Sequence, residues 1–288
     1  MRRVTLLAAV FAVVLAPAAP AGAKHQRVRV KERIVYGQGR VTAPARGRVN
    51  LRLDLYRPPV RFRRRRPAVV LIHGGGFVTG TRDDPPLVRI ARALAARGIV
   101  VASIDHRLMG QDPVNSNRVA PLTHAAGASA FSRAMIAAVD DTLTAIRWLR
   151  ANAFRHRIDP GRLGLIGSSA GAITANHVAY LLDDHGMEAP PVRFVGDLWG
   201  AILLAPAAAA LERDEAPLFA VHGTEDTIVP TKLDDRLAAR ARAVGVPVEY
   251  LRVPGGHGSV ATGFFTRELL PGQTAFDRLL RFARRRFS

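Results

Sequence analysis

The chain contains no cysteine. That removes a thiol nucleophile and excludes a disulfide framework, so stability has to come from core burial. His-Glu-x-x-His and Gly-x-Gly-x-x-Gly are also absent, and with them the signatures of a zinc metalloprotease and of a dinucleotide fold. Neither zinc-finger spacing nor an RNA-binding aromatic motif is present, which leaves no basis for nucleic-acid recognition. Aromatics make up only 6% of residues, and the two tryptophans, Trp148 and Trp199, read as core residues rather than as platforms for sugar rings. Lysine is scarce. Of 42 basic residues three are Lys (Lys24, Lys31 and Lys232), leaving 39 Arg against 23 Asp and Glu. The formal charge of +19 therefore reads as a solvated, Arg-rich surface with a weak attraction to anionic material. Arg63–Arg66 and Arg284–Arg286 are its densest clusters.

What is present fits one large domain. The 288 residues, 48% of them hydrophobic, can bury a sizeable core. The first stretch reads differently. Arg2 and Arg3 precede the apolar run Val4–Ala16, and Ala21-Gly22-Ala23 is an A-x-A cleavage site. At 13 residues the run falls short of the roughly 20 that span a bilayer. Residues 1–23 are thus expected to be a signal peptide, residues 24–288 a single catalytic domain, and the product secreted or periplasmic, with no transmembrane segment.

Eight segments read as strands: Ile34–Tyr36, Asn50–Tyr56, Ala68–Ile72, Ile99–Ile104, Leu163–Ile166, Ala201–Leu204, Leu218–Val221 and Val248–Val253. Most are continuous apolar runs, as strands covered on both faces are. Between them lie helical patterns at Leu87–Ala96, Phe131–Ala151, Ala170–Leu182, Asp234–Ala243 and Phe276–Arg285. The alternation predicts an α/β fold, a mostly parallel eight-stranded sheet with helices on both faces. Arg107–Ala130 shows no clear period and is expected to be a long loop, a lid or an acyl-pocket wall.

Three motifs carry chemistry. Gly167-Ser168-Ser169-Ala170-Gly171 fits G-x-S-x-G between a strand and a helix, the context in which a serine is lifted out of a sheet on a strained turn. Ser169 is the candidate nucleophile, and its neighbour Ser168 the weaker one. His73-Gly74-Gly75-Gly76-Phe77 follows a buried strand. There the N–H groups of Gly75 and Gly76, with that of Ala170, would face a forming oxyanion. His73 reads as structural, and Phe77 as a substrate-binding wall of the acyl pocket. His222-Gly223-Thr224-Glu225-Asp226-Thr227-Ile228-Val229-Pro230 and Pro254-Gly255-Gly256-His257-Gly258 each follow a strand. They supply a carboxylate, Asp226 with Glu225 as its rival, and an imidazole, His257, of the kind a serine hydroxyl needs as its base. The order Ser169, Asp226, His257 is that of α/β-hydrolases. Among the other histidines, His106 and His124 border the long loop, His177 is expected to pack in its helix, and His25, His156 and His185 read as surface residues.

At this point the chain resembles the α/β-hydrolase superfamily along nearly all of residues 24–288. HGGGF and GSSAG look like the carboxylesterases and hormone-sensitive-lipase-like esterases. HGTEDTIVP is more similar to the acid loop of small secreted acetylxylan and feruloyl esterases, and of dienelactone-hydrolase and prolyl-oligopeptidase relatives. The chain has GSSAGA where lipase-like members often carry GDSAGG, and His106-Arg107-Leu108 where many have Tyr-Arg-Leu. The resemblance implies an α/β-hydrolase fold with a minimal cap and no cofactor or metal. It further implies Ser169 as nucleophile, Asp226 as acid, His257 as base, Gly75, Gly76 and Ala170 as oxyanion donors, and a small-molecule or polysaccharide-linked ester as substrate. A serine peptidase or amidase of the same fold is the alternative, followed by a non-catalytic binding protein on the same scaffold.

Overall fold

The computed structural model describes residues 27–59, 64–205, 210–257 and 259–288. The expected signal peptide, His25, Arg63 and Gly258 lie outside the described residues. Nine strands form the main sheet: β1 (Arg29–Val41), β2 (Gly47–Arg57), β3 (Arg66–Ile72), β4 (Val100–Ile104), β5 (Pro113–Val114), β6 (Ile158–Ser168), β7 (Val195–Leu198), β8 (Leu218–Gly223) and β9 (Val248–Val253). Their order is β5-β1-β2-β4-β3-β6-β7-β8-β9. From β4 to β9 every neighbour pair is parallel, whereas β2 joins β4, and β1 joins β2 and β5, antiparallel.

Strand β3 shows why the sheet is central. Ala68, Val70 and Ile72 point into one core, and Val69 and Leu71 into the other. Period-two alternation with both faces apolar needs a helical layer on each side. Helices α3 (Ala130–Ala151) and α5 (Ala170–Tyr180) cover the first face. Helix α1 (Pro85–Ala96) and the C-terminal helix Ala275–Phe287 cover the second. Local signals set the helix ends. Pro85 and Pro86 open α1, Ser129 caps α3 by accepting from Ser132 N at 3.0 Å, and Thr274 with Asp277 forms a capping box. The chain leaves β3 through α1 towards β4, and leaves β6 through α5 towards β7. Strand order therefore reverses between β3 and β6, and in open α/β sheets a crevice forms outside the carboxyl ends of strands at such a point.

Several expectations need correction. The sixth strand is Val195–Leu198, not Ala201–Leu204, because a fully buried carboxylate, Asp197, interrupts what would otherwise be an apolar run. Strand β1 extends 13 residues instead of three. Register shifts at Lys31/Ile34 and Val35/Gly37 erase its period of two. The segment Arg107–Ala130 is not an irregular loop. It holds 3-10 turns at Met109–Gln111 and Asn117–Val119, the ninth strand β5, and α2 (Ala120–Ala126), with Val119 and Leu122 fully buried.

Arg107 pins that segment. Its guanidinium is among the most deeply buried groups in the chain. Nε and Nη2 donate to Asp141 Oδ1 at 3.0 and 2.8 Å, Nη2 also reaches Asp140 Oδ2 at 3.1 Å, and Nη1 donates to the carbonyls of Arg40 and Val114 at 3.1 and 2.8 Å. One side chain thereby joins β1, β5 and α3. Asp141→Ala would leave the buried cation without its bidentate partner, at a cost of about 3–5 kcal/mol. Urea unfolding followed by circular dichroism would measure this, and a loss below about 1 kcal/mol would mean that solvent screens the pair.

Candidate active site

The site gathers at the carboxyl ends of β3, β6, β8 and β9. Ser169 follows β6 directly and has φ 52°, ψ −120°, a left-handed conformation that side-chain-bearing residues avoid. Two backbone bonds fix it there: its N–H donates to Leu198 O, and its carbonyl accepts from Ile173 N, each at 2.9 Å. The turn is tight enough to demand glycine at two flanking positions. A β-carbon on Gly167 would stand 2.1 Å from Gly171 O, and one on Gly171 would stand 2.2 Å from Ile72 O. Helix α5 thus begins against the end of β3, and Ser169 sits at its N-terminus, where partial positive charge favours an anion.

His257, in the loop after β9, accepts the Ser169 hydroxyl at Nε2, 2.8 Å away, and donates from Nδ1 to Asp226 Oδ2 at 2.6 Å. Asp226, in the loop after β8, receives the N–H groups of Ile228 and Val229 on Oδ1, both at 2.9 Å. Burial alone would raise its carboxyl; the His257 hydrogen bond and the two N–H groups outweigh burial and hold it below the ordinary aspartate range. Its side chain is wholly enclosed, while the His257 side chain keeps 20% exposure. Glu225, the rival carboxylate, is exposed to solvent and makes no contact with His257. The structure therefore brings Ser169, His257 and Asp226 into one hydrogen-bonded line.

The glycine loop faces the same point. Gly75 and Gly76 have φ of +97° and +62°. The Gly75 carbonyl accepts from Val78 N and Thr79 N at 3.0 Å, which turns the loop back on itself. Gly74 lies against the elbow, where a β-carbon would stand 3.2 Å from Ser169 Cβ. Among the described residues no hydrogen bond engages the N–H of Gly75, Gly76 or Ala170. Three donors thus stay open beside the serine.

Below the loop, His73 donates from Nδ1 to Gly74 O at 2.8 Å and stacks on His106 with ring centroids 4.1 Å apart. Burial keeps both rings neutral, lowering His73 and pushing His106 down to about 3. Their role is structural. Phe77 corrects the expectation of an acyl-pocket wall: it is fully buried, packed edge-on to Phe131 and against His106, and offers a substrate no surface in this conformation. His124 is exposed on α2, and His177 is buried in α5, accepting Leu203 N at 3.1 Å. His156 is buried, not on the surface, because its ring stacks on Trp148. Burial, with Arg57 nearby, pushes it down to about 4.

Sequence reasoning missed the groups behind Asp226. His222, in β8, places Nε2 3.1 Å from Asp226 Oδ2 and Nδ1 2.7 Å from Asp234 Oδ2. Asp234 belongs to the helix Lys232–Val244, whose buried face is Asp234, Leu237, Ala238 and Ala241. A carboxylate at an apolar-stripe position was the available signal.

Comparison with known proteins adds the following. The family described as alpha/beta hydrolase fold matches residues 130–233, and the family described as BD-FAE matches residues 53–118. The carboxylesterase NlhH of Mycobacterium tuberculosis is 33% identical over 167 residues, covering 58% of this chain and 42% of its own length. The esterase LipC of the same organism is 26% identical over 277 residues, covering 82% of this chain and 61% of its own. The chain thus spans less than two thirds of these relatives. A butyrate-bound structure of the thermophilic esterase Est2 from Thermogutta terrifontis superposes with a TM-score of 0.65 at 19% identity, covering 91% of this chain and 94% of that one.

Because the elbow closes by backbone contact, Gly171→Ala should force α5 and β3 apart. An overpacking cost of about 1–3 kcal/mol is expected, read as a lowered thermal midpoint. An unchanged midpoint would show that the contact has slack.

Proposed function

We propose that this chain, which has the α/β-hydrolase fold, is a serine hydrolase that cleaves small to medium carboxylic esters through an acyl-enzyme on Ser169. One observation carries the reading: the unbroken hydrogen-bond line from Ser169 through His257 to Asp226, beside three open N–H groups.

The steps follow from the geometry. Ser169 Oγ attacks the ester carbonyl carbon while His257 Nε2 takes its proton. The carbonyl π electrons move onto oxygen, and the N–H groups of Gly75, Gly76 and Ala170 hold that oxyanion. One such donor typically contributes about 10²–10³ in rate. As the tetrahedral centre collapses, His257 returns the proton to the leaving alcohol and the acyl group stays on Ser169. Water then attacks the acyl carbonyl, with His257 as base, and releases the carboxylic acid. Asp226 keeps Nδ1 protonated throughout and stabilises the imidazolium.

Short acyl groups are favoured as substrates, since the thermophilic esterase that shares this fold has been captured with butyrate and with propionate. A paraoxon-phosphorylated form of that esterase suggests the probe. Polysaccharide-linked esters belong to the same reaction class. No helix among the described residues is long and apolar enough to cross a membrane. We take the enzyme to be exported, on the strength of Arg2, Arg3 and the run that follows them, with its Arg-rich surface drawing it weakly to anionic material.

Ser169→Ala should lower p-nitrophenyl butyrate hydrolysis by roughly 10⁴–10⁶-fold and abolish the one-to-one mass increment that paraoxon leaves on the intact wild-type protein. Retained hydrolysis in that variant would sink the assignment. Matched ester and amide substrates separate an esterase from an amidase. For export, N-terminal sequencing of protein recovered outside the cytoplasm should begin at Lys24, and a cell-retained chain beginning at Met1 would refute it.

A further inference from the structure

The hydrogen-bond line does not stop at Asp226. His222 stands behind it with a fully enclosed side chain. Its Nε2 faces Val229 O at 2.8 Å and Asp226 Oδ2 at 3.1 Å, and its Nδ1 faces Asp234 Oδ2 at 2.7 Å. Every one of these partners is an oxygen that accepts. A neutral imidazole has one N–H and one bare nitrogen. In this setting the bare nitrogen would direct its lone pair at an oxygen lone pair inside the core, a costly arrangement. The partners instead suit a ring that donates from both sides.

The surroundings are built for a cation. Asp234 reaches His222 from the helix Lys232–Val244, Asp226 from the loop after β8, and Asp197 from β7. Asp197 is itself held by Asn176 Nδ2 at 2.5 Å and Gly200 N at 2.6 Å. Asp234 Oδ1 is buried with no hydrogen-bond partner among the described residues, so its charge is not spent on another donor. From β9, Arg252 lies in register with His222, but it is exposed and reaches towards Asp235 at 3.5 Å; Tyr250 donates to Asp235 at 3.0 Å. His257 faces His222 only across Asp226. Three carboxylates therefore surround one imidazole.

We propose that His222 is a positioning residue: an imidazolium held by Asp234 that donates to Asp226 Oδ2, shares that oxygen with His257, and fixes it in line for the reaction. Burial alone would strip the extra proton. The hydrogen bond to Asp234 and its charge, the Val229 carbonyl and the Asp197 charge outweigh burial and hold the ring protonated up to about 9. The positive charge does a second thing. It offsets part of the pull that Asp226 exerts on the proton His257 carries in the transition state, so that the proton can pass on to the leaving group.

This inference rests on Ser169, His257 and Asp226 acting as a triad, and its tests have readouts independent of that reading. The first is ¹⁵N NMR of the histidine ring nitrogens in the wild-type protein at pH 7, with His222 assigned by the signal lost in His222→Gln. Two protonated nitrogens are expected. One protonated and one bare nitrogen would overturn the proposal and place the proton on Asp234. The second is kinetic. His222→Gln should lower kcat by about 10–100-fold, as loss of one charge-assisted donor does, with KM changed less than about twofold. Asp234→Asn keeps His222 in place but removes the charge that holds its proton. The acidic limb of its kcat/KM profile should then move to higher pH by about half a unit or more, because a positive charge near Asp226 is lost. If His222→Gln fails to fold, the NMR measurement and Asp234→Asn decide the matter. Wild-type kcat with an unshifted limb in Asp234→Asn would overturn the proposal, whereas ester hydrolysis surviving in Ser169→Ala would overturn the triad and leave the charge state of His222 as measured.

Discussion

A guanidinium placed where water cannot reach must find an acceptor for each of its N–H groups, or the fold loses several kcal/mol. Arg107 imposes that condition on the whole amino-terminal half. It is met by Asp140 and Asp141 from α3 and by two backbone carbonyls from β1 and the strand beside it. The consequence reaches the chemistry. Two residues on, Met109 N donates to Phe77 O at 2.7 Å, and this ties the segment fixed by Arg107 to the glycine loop beside Ser169. The Asp140 carboxylate also takes the Ser116 hydroxyl at 2.9 Å and an ion pair from Arg118. The segment after β4 is therefore held at several points, and the open N–H groups of the loop inherit that rigidity.

At the other end of the sheet the organising atom is Asp226 Oδ2, shared between His257 and His222. No single element carries the site. The serine comes from β6, the N–H donors from the ends of β3 and β6, the carboxylate and the second histidine from β8 and its loop, and the first histidine from the loop after β9. A parallel sheet makes this economical, because every strand delivers its carboxyl end to the same edge. The reversal of strand order between β3 and β6 opens room for a ligand there.

The parts of this arrangement that could be read from sequence are those where local chemistry leaves a local mark. A serine between small residues at a strand-to-helix junction, consecutive glycines after a buried strand, and a carboxylate and a histidine after two later strands are all visible in one dimension. What escaped notice depended on partners far away in the chain. Asp197 hid β7 by interrupting an apolar run, and its reason for being there is Asn176 on α5. Asp234 looked like an ordinary acidic residue in the first turn of a helix, although its partner is a histidine 12 residues earlier. Phe77 reads as a pocket wall from its place in HGGGF, but Phe131, on a helix that begins some fifty residues later, covers it. His156 reads as a surface residue until Trp148, one helix away, is seen to stack on it.

The elbow glycines have a bearing on how this protein can vary. Gly167 meets the backbone of Gly171, and Gly171 meets the backbone of β3, so neither contact has a side chain that can shrink in compensation. A neighbour's substitution cannot rescue a larger residue at either position; only a displacement of the helix against the strand would, and that would carry Ser169 away from His257. Descendants of this sequence can therefore change what surrounds the serine, in loops and on surfaces, far more freely than they can change the turn beneath it. New substrate preferences are expected to arise from the segments that overhang the site, with the turn inherited unchanged.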